Sequence, residues 1–280
     1  MTRADTMKDG RERLAEPLRA WVDKKGWREL RPIQREAIEA ILVGDGAQDR
    51  DLVLSASTAS GKTEAAFLPL LTRLVIRSEA PSPSFEILYL SPLKALINDM
   101  ADRVREMAAL VGRSAYRRHG DVRGKERSEM EARARGLLLT TPESLEAQFI
   151  RSRETLPFVF ADLQAVVIDE IHAYFESPRG PLVSLLARLE AAIARHHGRA
   201  SQVIPRIALS ATLGGAGDGA EDDIRAFLRP EDPQRVKIVC PETVQNRIEV
   251  HLKAFTEATK GTAPPPAGTR RRHGTSKPIV

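Results

Sequence analysis

The segment Ala56-Ser-Thr-Ala-Ser-Gly-Lys-Thr63 sets a glycine, a lysine and a hydroxyl between an apolar run ending at Ser55 and a helical pattern beginning at Thr63. A strand, a short glycine-bearing loop and a helix start together make a cradle for phosphate. The first N–H groups of the helix have no partners within it and point at the ligand's oxygens. The pattern is of the phosphate-loop type, with Ala56 where a first glycine is usual. Its candidate binding residues are Ala56, Ser57, Thr58, Ala59, Ser60, Gly61, Lys62 and Thr63. Gly61 allows close approach of the backbone, Lys62 reaches the β- and γ-phosphates, and the Thr63 hydroxyl ligates Mg²⁺.

A second reactive pair lies in Val166-Val-Ile-Asp-Glu-Ile-His172. Three apolar residues carry Asp169 and Glu170 to the end of a buried strand, the position of the metal-holding acid in phosphate-loop ATPases. Asp169 is expected to hold Mg²⁺ through water, and Glu170 to polarise the attacking water as general base. Adjacent carboxylates after a strand are also common as a plain solvated turn. Here the phosphate loop upstream in the same predicted sheet makes the chemical reading dominate.

Elements of fixed kind must carry these groups. Short apolar runs at Asp51–Ser55, Phe85–Leu90, Leu137–Thr140, Ala165–Ile168, Ile207–Ser210 and Arg235–Val239 read as strands buried on both faces. Helical patterns alternate with them at Pro32–Leu42, Thr63–Ile76, Leu93–Ala109 and Pro181–Arg195. In the last, Leu182, Leu185, Leu186, Leu189 and Ile193 share one face. Such alternation predicts an α/β fold, a mostly parallel sheet with helices on both faces. Ligands bind such sheets at the carboxyl ends of the strands. Gly214–Glu221 reads as a flexible loop.

Asp169-Glu-Ile-His172 resembles motif II of the DEAD/DEAH-box helicases of superfamily 2, and the other motifs of their first RecA-like domain follow in order. Leu30-Arg-Pro-Ile-Gln34 resembles the adenine-reading Q motif. Ser91-Pro-Leu-Lys-Ala-Leu96 resembles motif Ia, Thr140-Thr-Pro-Glu-Ser-Leu145 motif Ib, and Ser210-Ala-Thr212 motif III. Arg118-His-Gly-Asp121, the long form of motif Ib and Arg179-Gly180 are most similar to the large-helicase-related (Lhr) branch. The resemblance implies ATP as nucleotide, with Gln34 bonding to the base edge. It implies that His172 links the hydrolysis site to Ser210 and Thr212, which sense nucleotide state. It also implies that Ser91, Pro92, Lys94, Thr141, Pro142 and Glu143 contact a nucleic-acid strand, DNA or RNA, at two helix starts whose free N–H groups can bind its phosphates.

Each secondary motif has a plainer reading. Gln34 is equally a helix-surface glutamine, and His172 a core histidine. The Ser-Pro and Thr-Pro-Glu starts need no ligand to explain them, since these residues cap helices. The basic segment Arg113, Arg117, Arg118, Arg123, Lys125 and Arg127 suits a solvated face as well as a strand-binding groove.

Bulk charge does not decide the matter. Five basic residues and no acidic ones fall between Lys260 and Val280, which accounts for the whole net charge of +5. The remainder is formally neutral, so a polyanion-binding surface must come from local geometry. No apolar run is long enough to span a bilayer, and the first thirty or so residues lack a signal-peptide core. A cytoplasmic protein is expected, with no membrane partner. One cysteine, Cys240, leaves no disulfide framework or cysteine-cluster metal site.

The expected organisation is an N-terminal extension over 1–10, an ATP-binding RecA-like domain over 11–256, and a disordered Pro/Arg-rich tail over 257–280. Helicases of this superfamily place ATP between two RecA-like domains. Nothing after Thr212 resembles the second, and too few residues follow the last predicted strand to form one. A separate chain is one source of the missing half. Two functions remain open: the first motor domain of an ATP-dependent helicase or translocase, and a nucleotide-regulated binding module that does not unwind. A phosphate-loop kinase or transporter ATPase fits less well, since it predicts neither Asp-Glu-Ile-His nor Ser-Ala-Thr.

Overall fold

A computed structural model describes residues 10–43, 50–57, 60–78, 80–118, 136–174, 180–211 and 220–241. Thr58, Ala59, Thr212, Arg123, Lys125, Arg127, His119–Asp121, Arg179 and the tail over 257–280 lie outside these described residues, as does the expected domain boundary at 256.

The chain runs through α1 (Glu16–Lys24), α2 (Pro32–Leu42), β1 (Asp51–Ser55), α3 (Lys62–Arg77), β2 (Phe85–Leu90) and α4 (Lys94–Leu110). It continues with β3 (Ala115–Arg118), β4 (Gly136–Thr140), α5 (Pro142–Arg151), the short α6 (Leu156–Val159) and β5 (Ala165–Ile168). The last elements are α7 (Gly180–His196), β6 (Arg206–Ser210), α8 (Ala220–Leu228) and β7 (Val236–Val239). The seven strands form one sheet in the order β3-β4-β2-β5-β6-β1-β7. Every neighbouring pair is parallel.

Continuous apolar strands follow from this architecture, because successive side chains enter cores on opposite faces. Leu52 and Leu54 of β1 join one core with α1 to α4. Val53 between them joins the other, with α5 to α8. The five apolar residues expected on one face of α7 are all buried in that second core.

Several expectations need correction. The edge strand β3 was missed because Tyr116, Arg117 and Arg118 are only half-buried, which masks the strand signal. Strand β4 starts one residue early, at Gly136, whose φ of +82° favours glycine. A Cβ there would also stand 2.4 Å from the Ser114 carbonyl oxygen. The expected loop Gly214–Glu221 ends in helix, since α8 already includes Ala220 and Glu221.

Arg113 leaves the expected basic face altogether. It is buried, with Nε 3.2 Å from Glu86 Oε2 and Nη2 donating to the Ser78 carbonyl at 2.7 Å. Burial pushes the Glu86 pKa up, and the bond from Arg113 works against that. Arg113 thus closes the turn between α4 and β3 rather than presenting charge to a polyanion.

At the N-terminal ends of the strands, buried Asp51 accepts Arg229 Nε at 2.7 Å and the Arg206 N–H at 2.7 Å. Arg206 and Arg229 both reach Glu190 of α7, at 2.8 and 3.0 Å. The cluster ties β1, β6, α7 and the end of α8 together at the edge opposite the phosphate loop. No helix among the described residues is long and apolar enough to cross a membrane.

Candidate active site

Three strand tips converge at the C-terminal edge of the sheet. β1 delivers the phosphate loop, β6 delivers Ser210, and β5 delivers Asp169 and Glu170. The tips are tied together, since the Ala56 N–H donates to the Ser210 carbonyl at 3.2 Å and the Asp169 N–H to the Leu90 carbonyl of β2 at 2.8 Å. Lys62, Thr63, Asp169 and Glu170 line one cleft of about 370 Å³. Two segments remote in sequence therefore face each other across a shared space.

Lys62 donates to the carbonyls of Ala56 and Ser57 at 2.6 and 2.9 Å. Burial lowers its pKa, and the charges of Glu170 and Asp169 partly offset this. Gly61 precedes α3 with φ +83°. A Cβ there would stand 2.6 Å from Gln34 Nε2. A non-glycine residue in this backbone region costs about 1–2 kcal/mol. Gly61→Ala should therefore displace the Gln34 amide and distort the loop, weakening nucleotide binding about tenfold, or about 1.4 kcal/mol. Titration with a fluorescent ATP analogue checks this, and unchanged affinity would count against the loop as a cradle.

Gln34 is not the surface residue of the plainer reading, being 1% exposed. Its Oε1 accepts the Arg31 N–H at 3.0 Å, and its Nε2 reaches the Gly61 carbonyl at 3.5 Å. It therefore joins the start of α2 to the phosphate loop.

The acidic tip is strained and under-bonded. Glu170 has φ +47°, the one positive value at a non-glycine among the described residues. Such conformations cluster where function demands a fixed geometry. Glu170 Oε2 is buried without a hydrogen-bond partner among the described residues, as is His172 Nδ1, 3.3 Å away. The His172 side chain is 44% exposed, which removes the core-histidine reading. Asp169 is held on both oxygens. Oδ1 accepts the Glu170 N–H at 3.0 Å, and Oδ2 accepts the Tyr89 hydroxyl. Burial, reinforced by Asp169, raises the Tyr89 pKa.

The donor set suits a magnesium–triphosphate. The buried Ser60 hydroxyl has no hydrogen-bond partner among the described residues, and the Thr63 hydroxyl there meets the soft Met100 sulfur at 3.8 Å. No group of three metal-ligating side chains forms among the described residues. Mg²⁺ needs none, since it usually keeps waters and takes one or two protein ligands beside the phosphates.

The two helix starts lie farther along the same edge, on neighbouring strands β2 and β4, where the Ser91 N–H donates to the Thr140 carbonyl at 3.2 Å. Ser91 is buried, and Thr141 is buried with its Oγ1 capping the Ser144 N–H at 3.2 Å. The capping geometry is real, and neither hydroxyl is presented to solvent. Pro92 and Pro142 are half-buried, whereas Lys94 and Glu143 are exposed.

Sequence reasoning missed Tyr89, hidden in an apolar strand whose pattern gives no sign of its acidic neighbour. It also missed Arg103 of α4, which pairs with buried Glu64 of α3 at the rim of the cleft. Helical periodicity shows such a pair only after α3 and α4 are packed together.

A parallel sheet that carries a Gly-Lys-Thr loop and an Asp-Glu tip on one edge is a RecA-like phosphate-loop NTPase fold. The profile of the DEAD/DEAH box helicases matches residues 31–217, and the chain belongs to that family. Among similar proteins is the Lhr helicase/probable uracil glycosylase of Mycolicibacterium smegmatis, 34% identical over 75% of this chain and 13% of its own length. Another is the ATP-dependent helicase Lhr-Core of Sulfolobus acidocaldarius, 32% identical over 83% of this chain and 28% of its own. The structure of Mycobacterium smegmatis helicase Lhr bound to ssDNA and AMP-PNP superposes with a TM-score of 0.66 and 27% identity, over 84% of this chain and 28% of that one. The DEAD-box helicase Mss116 bound to ssRNA and UDP-BeF shares the fold, with a TM-score of 0.62 at 18% identity, over 77% and 41% of the two chains. The chain thus spans little more than a quarter of its Lhr-type relatives at most, a region homologous to their helicase motor.

Proposed function

We propose that these residues form the ATP-binding and hydrolysing half of a nucleic-acid helicase or translocase motor. The observation that carries the reading is the shared cleft of Lys62 with Asp169 and Glu170, the last in a strained backbone with a carboxylate oxygen 3.3 Å from His172 Nδ1. A scaffold that only binds nucleotide has no need of that strain.

In this reading the backbone N–H groups of the loop from Ala56 to Thr63, Thr58 and Ala59 included, bind the phosphates of ATP. Lys62 exchanges its loop carbonyls for the β- and γ-phosphate oxygens, and the Gln34 amide reads the adenine edge. Thr63 and Asp169 hold Mg²⁺, Asp169 through water. The bound ion supplies charge neutralisation at the phosphates. Glu170 accepts a proton from the attacking water. His172, beside Glu170, passes the hydrolytic state to Ser210 and Thr212. A DNA or RNA strand lies along the N–H groups at the starts of α4 and α5, with Lys94 adding charge and Pro92, Pro142 and Glu143 shaping the rim. The ssDNA and ssRNA bound to the two structural relatives support a nucleic-acid partner.

A second RecA-like domain, from the same protein or another chain, completes the site. Arginine donated from outside accelerates related phosphoryl transfers by about 10³–10⁵-fold. The 280 residues alone should bind ATP–Mg²⁺ weakly and hydrolyse it slowly. Steady-state ATPase assays with and without single-stranded DNA or RNA test this. Fast, strand-stimulated turnover would refute the half-site reading, and absence of nucleotide binding would refute the whole.

A further inference from the structure

Tyr89 stands next to the C-terminal end of β2, 1% exposed, and contacts both the acidic tip and the helix that follows the phosphate loop. Its ring packs against Phe67 of α3, the helix that begins with Lys62 and Thr63, at 6.0 Å between centroids. Its hydroxyl donates to Asp169 Oδ2. The next residue, Leu90, receives the Asp169 N–H at 2.8 Å. One strand therefore grips the acidic tip by its backbone and by its side chain. With Oδ1 held by the Glu170 N–H, both carboxylate oxygens are engaged.

We propose that Tyr89 is a positioning residue of the nucleotide site, fixing the Asp169 carboxylate in the orientation in which it takes a hydrated divalent cation. The proposal rests on the reading of Asp169 as the metal-holding acid. An outer-sphere carboxylate acts through its charge and through hydrogen bonds from the metal's waters; the second part depends on the direction of its lone pairs, so a carboxylate free to turn loses affinity to orientational entropy. Partners that orient ligands in this way typically contribute about 10–100-fold in metal affinity. The plainer alternative is a core tyrosine that has satisfied its hydroxyl with the nearest acceptor. That alternative predicts a change in stability and none in metal dependence.

Tyr89→Phe keeps the ring against Phe67 and removes the donor. Binding of a fluorescent ATP analogue to the full chain is titrated with Mg²⁺, and measured again in EDTA. We expect Tyr89→Phe to need about tenfold more Mg²⁺ for half-saturation, with metal-free nucleotide binding unchanged. In an Asp169→Asn background the same substitution should add nothing. Tyr116→Phe, which removes a hydroxyl on the edge strand β3 and keeps the ring against Phe85, is the control and should match the parent. If Tyr89→Phe and the parent share one Mg²⁺ curve, or if the loss persists in Asp169→Asn, the proposal is overturned. A parent chain that binds nucleotide without any Mg²⁺ dependence overturns the Asp169 reading itself, a separate result. Melting curves run alongside report stability, so a fold-wide loss shows in EDTA as well.

Discussion

Glu170→Gln should lower single-turnover ATP hydrolysis by about 10²–10⁴-fold while nucleotide stays bound. The amide keeps the volume of the carboxylate but takes no proton from water. Binding should survive because the phosphate loop and Asp169 hold the nucleotide independently of that proton transfer. Any gain in affinity is limited to what removing one negative charge near the phosphates contributes. The measurement pairs a quench assay of hydrolysis with a binding titration on the same sample, supplied with a second RecA-like domain if the isolated chain is too slow to read. Parallel loss of binding and hydrolysis would assign Glu170 a structural role. Unchanged hydrolysis would move the general base elsewhere.

Asp51→Ala should lower the folding free energy by roughly 3–5 kcal/mol, the range for breaking a buried ion pair from one side. Asp51 is fully buried and receives two bonds from Arg229 and one from the Arg206 N–H. Without it, Glu190 and the largely exposed Glu231 are the carboxylates left to face two buried guanidinium groups. Burial already lowers the Arg206 pKa, and Glu190 partly offsets this. For Arg229, burial acts in the same direction, but the bonds and charges of Asp51 and Glu190 outweigh it and hold the pKa above the ordinary value. Chemical denaturation checks the prediction, with the midpoint falling at unchanged slope. The control is Glu231→Ala, whose carboxylate meets Arg229 while 62% exposed and should matter by under about 0.5 kcal/mol. If the two variants prove equally stable, the cluster does not anchor β1. The anchor matters for function, because β1 carries the phosphate loop at its other end.

The fold class was legible from sequence because a sheet covered on both faces leaves apolar runs with few interruptions. β1, β2 and β5 have the bounds their runs predict. The weakly patterned elements were not legible. β3 is an edge strand with two arginines, and α8 follows a glycine-rich segment that conceals where its helix begins. Arg113 shows the corresponding error for charge, since an arginine in a basic segment reads as exposed until Glu86 is brought to it by the fold.

Local chemistry placed the phosphate loop and the acidic pair, because each needs only neighbours in the chain: a strand before, a turn, and the right side chains. Whether the two meet depends on strand order, which no short stretch of residues encodes. The parallel pairing of β1 with β6 and of β6 with β5 brings Lys62 to the same cleft as Asp169 and Glu170. The same pairing logic, β2 against β5, sets the Tyr89 hydroxyl against Asp169. These contacts join residues far apart along the chain, and packing across the sheet, not sequence pattern, creates them.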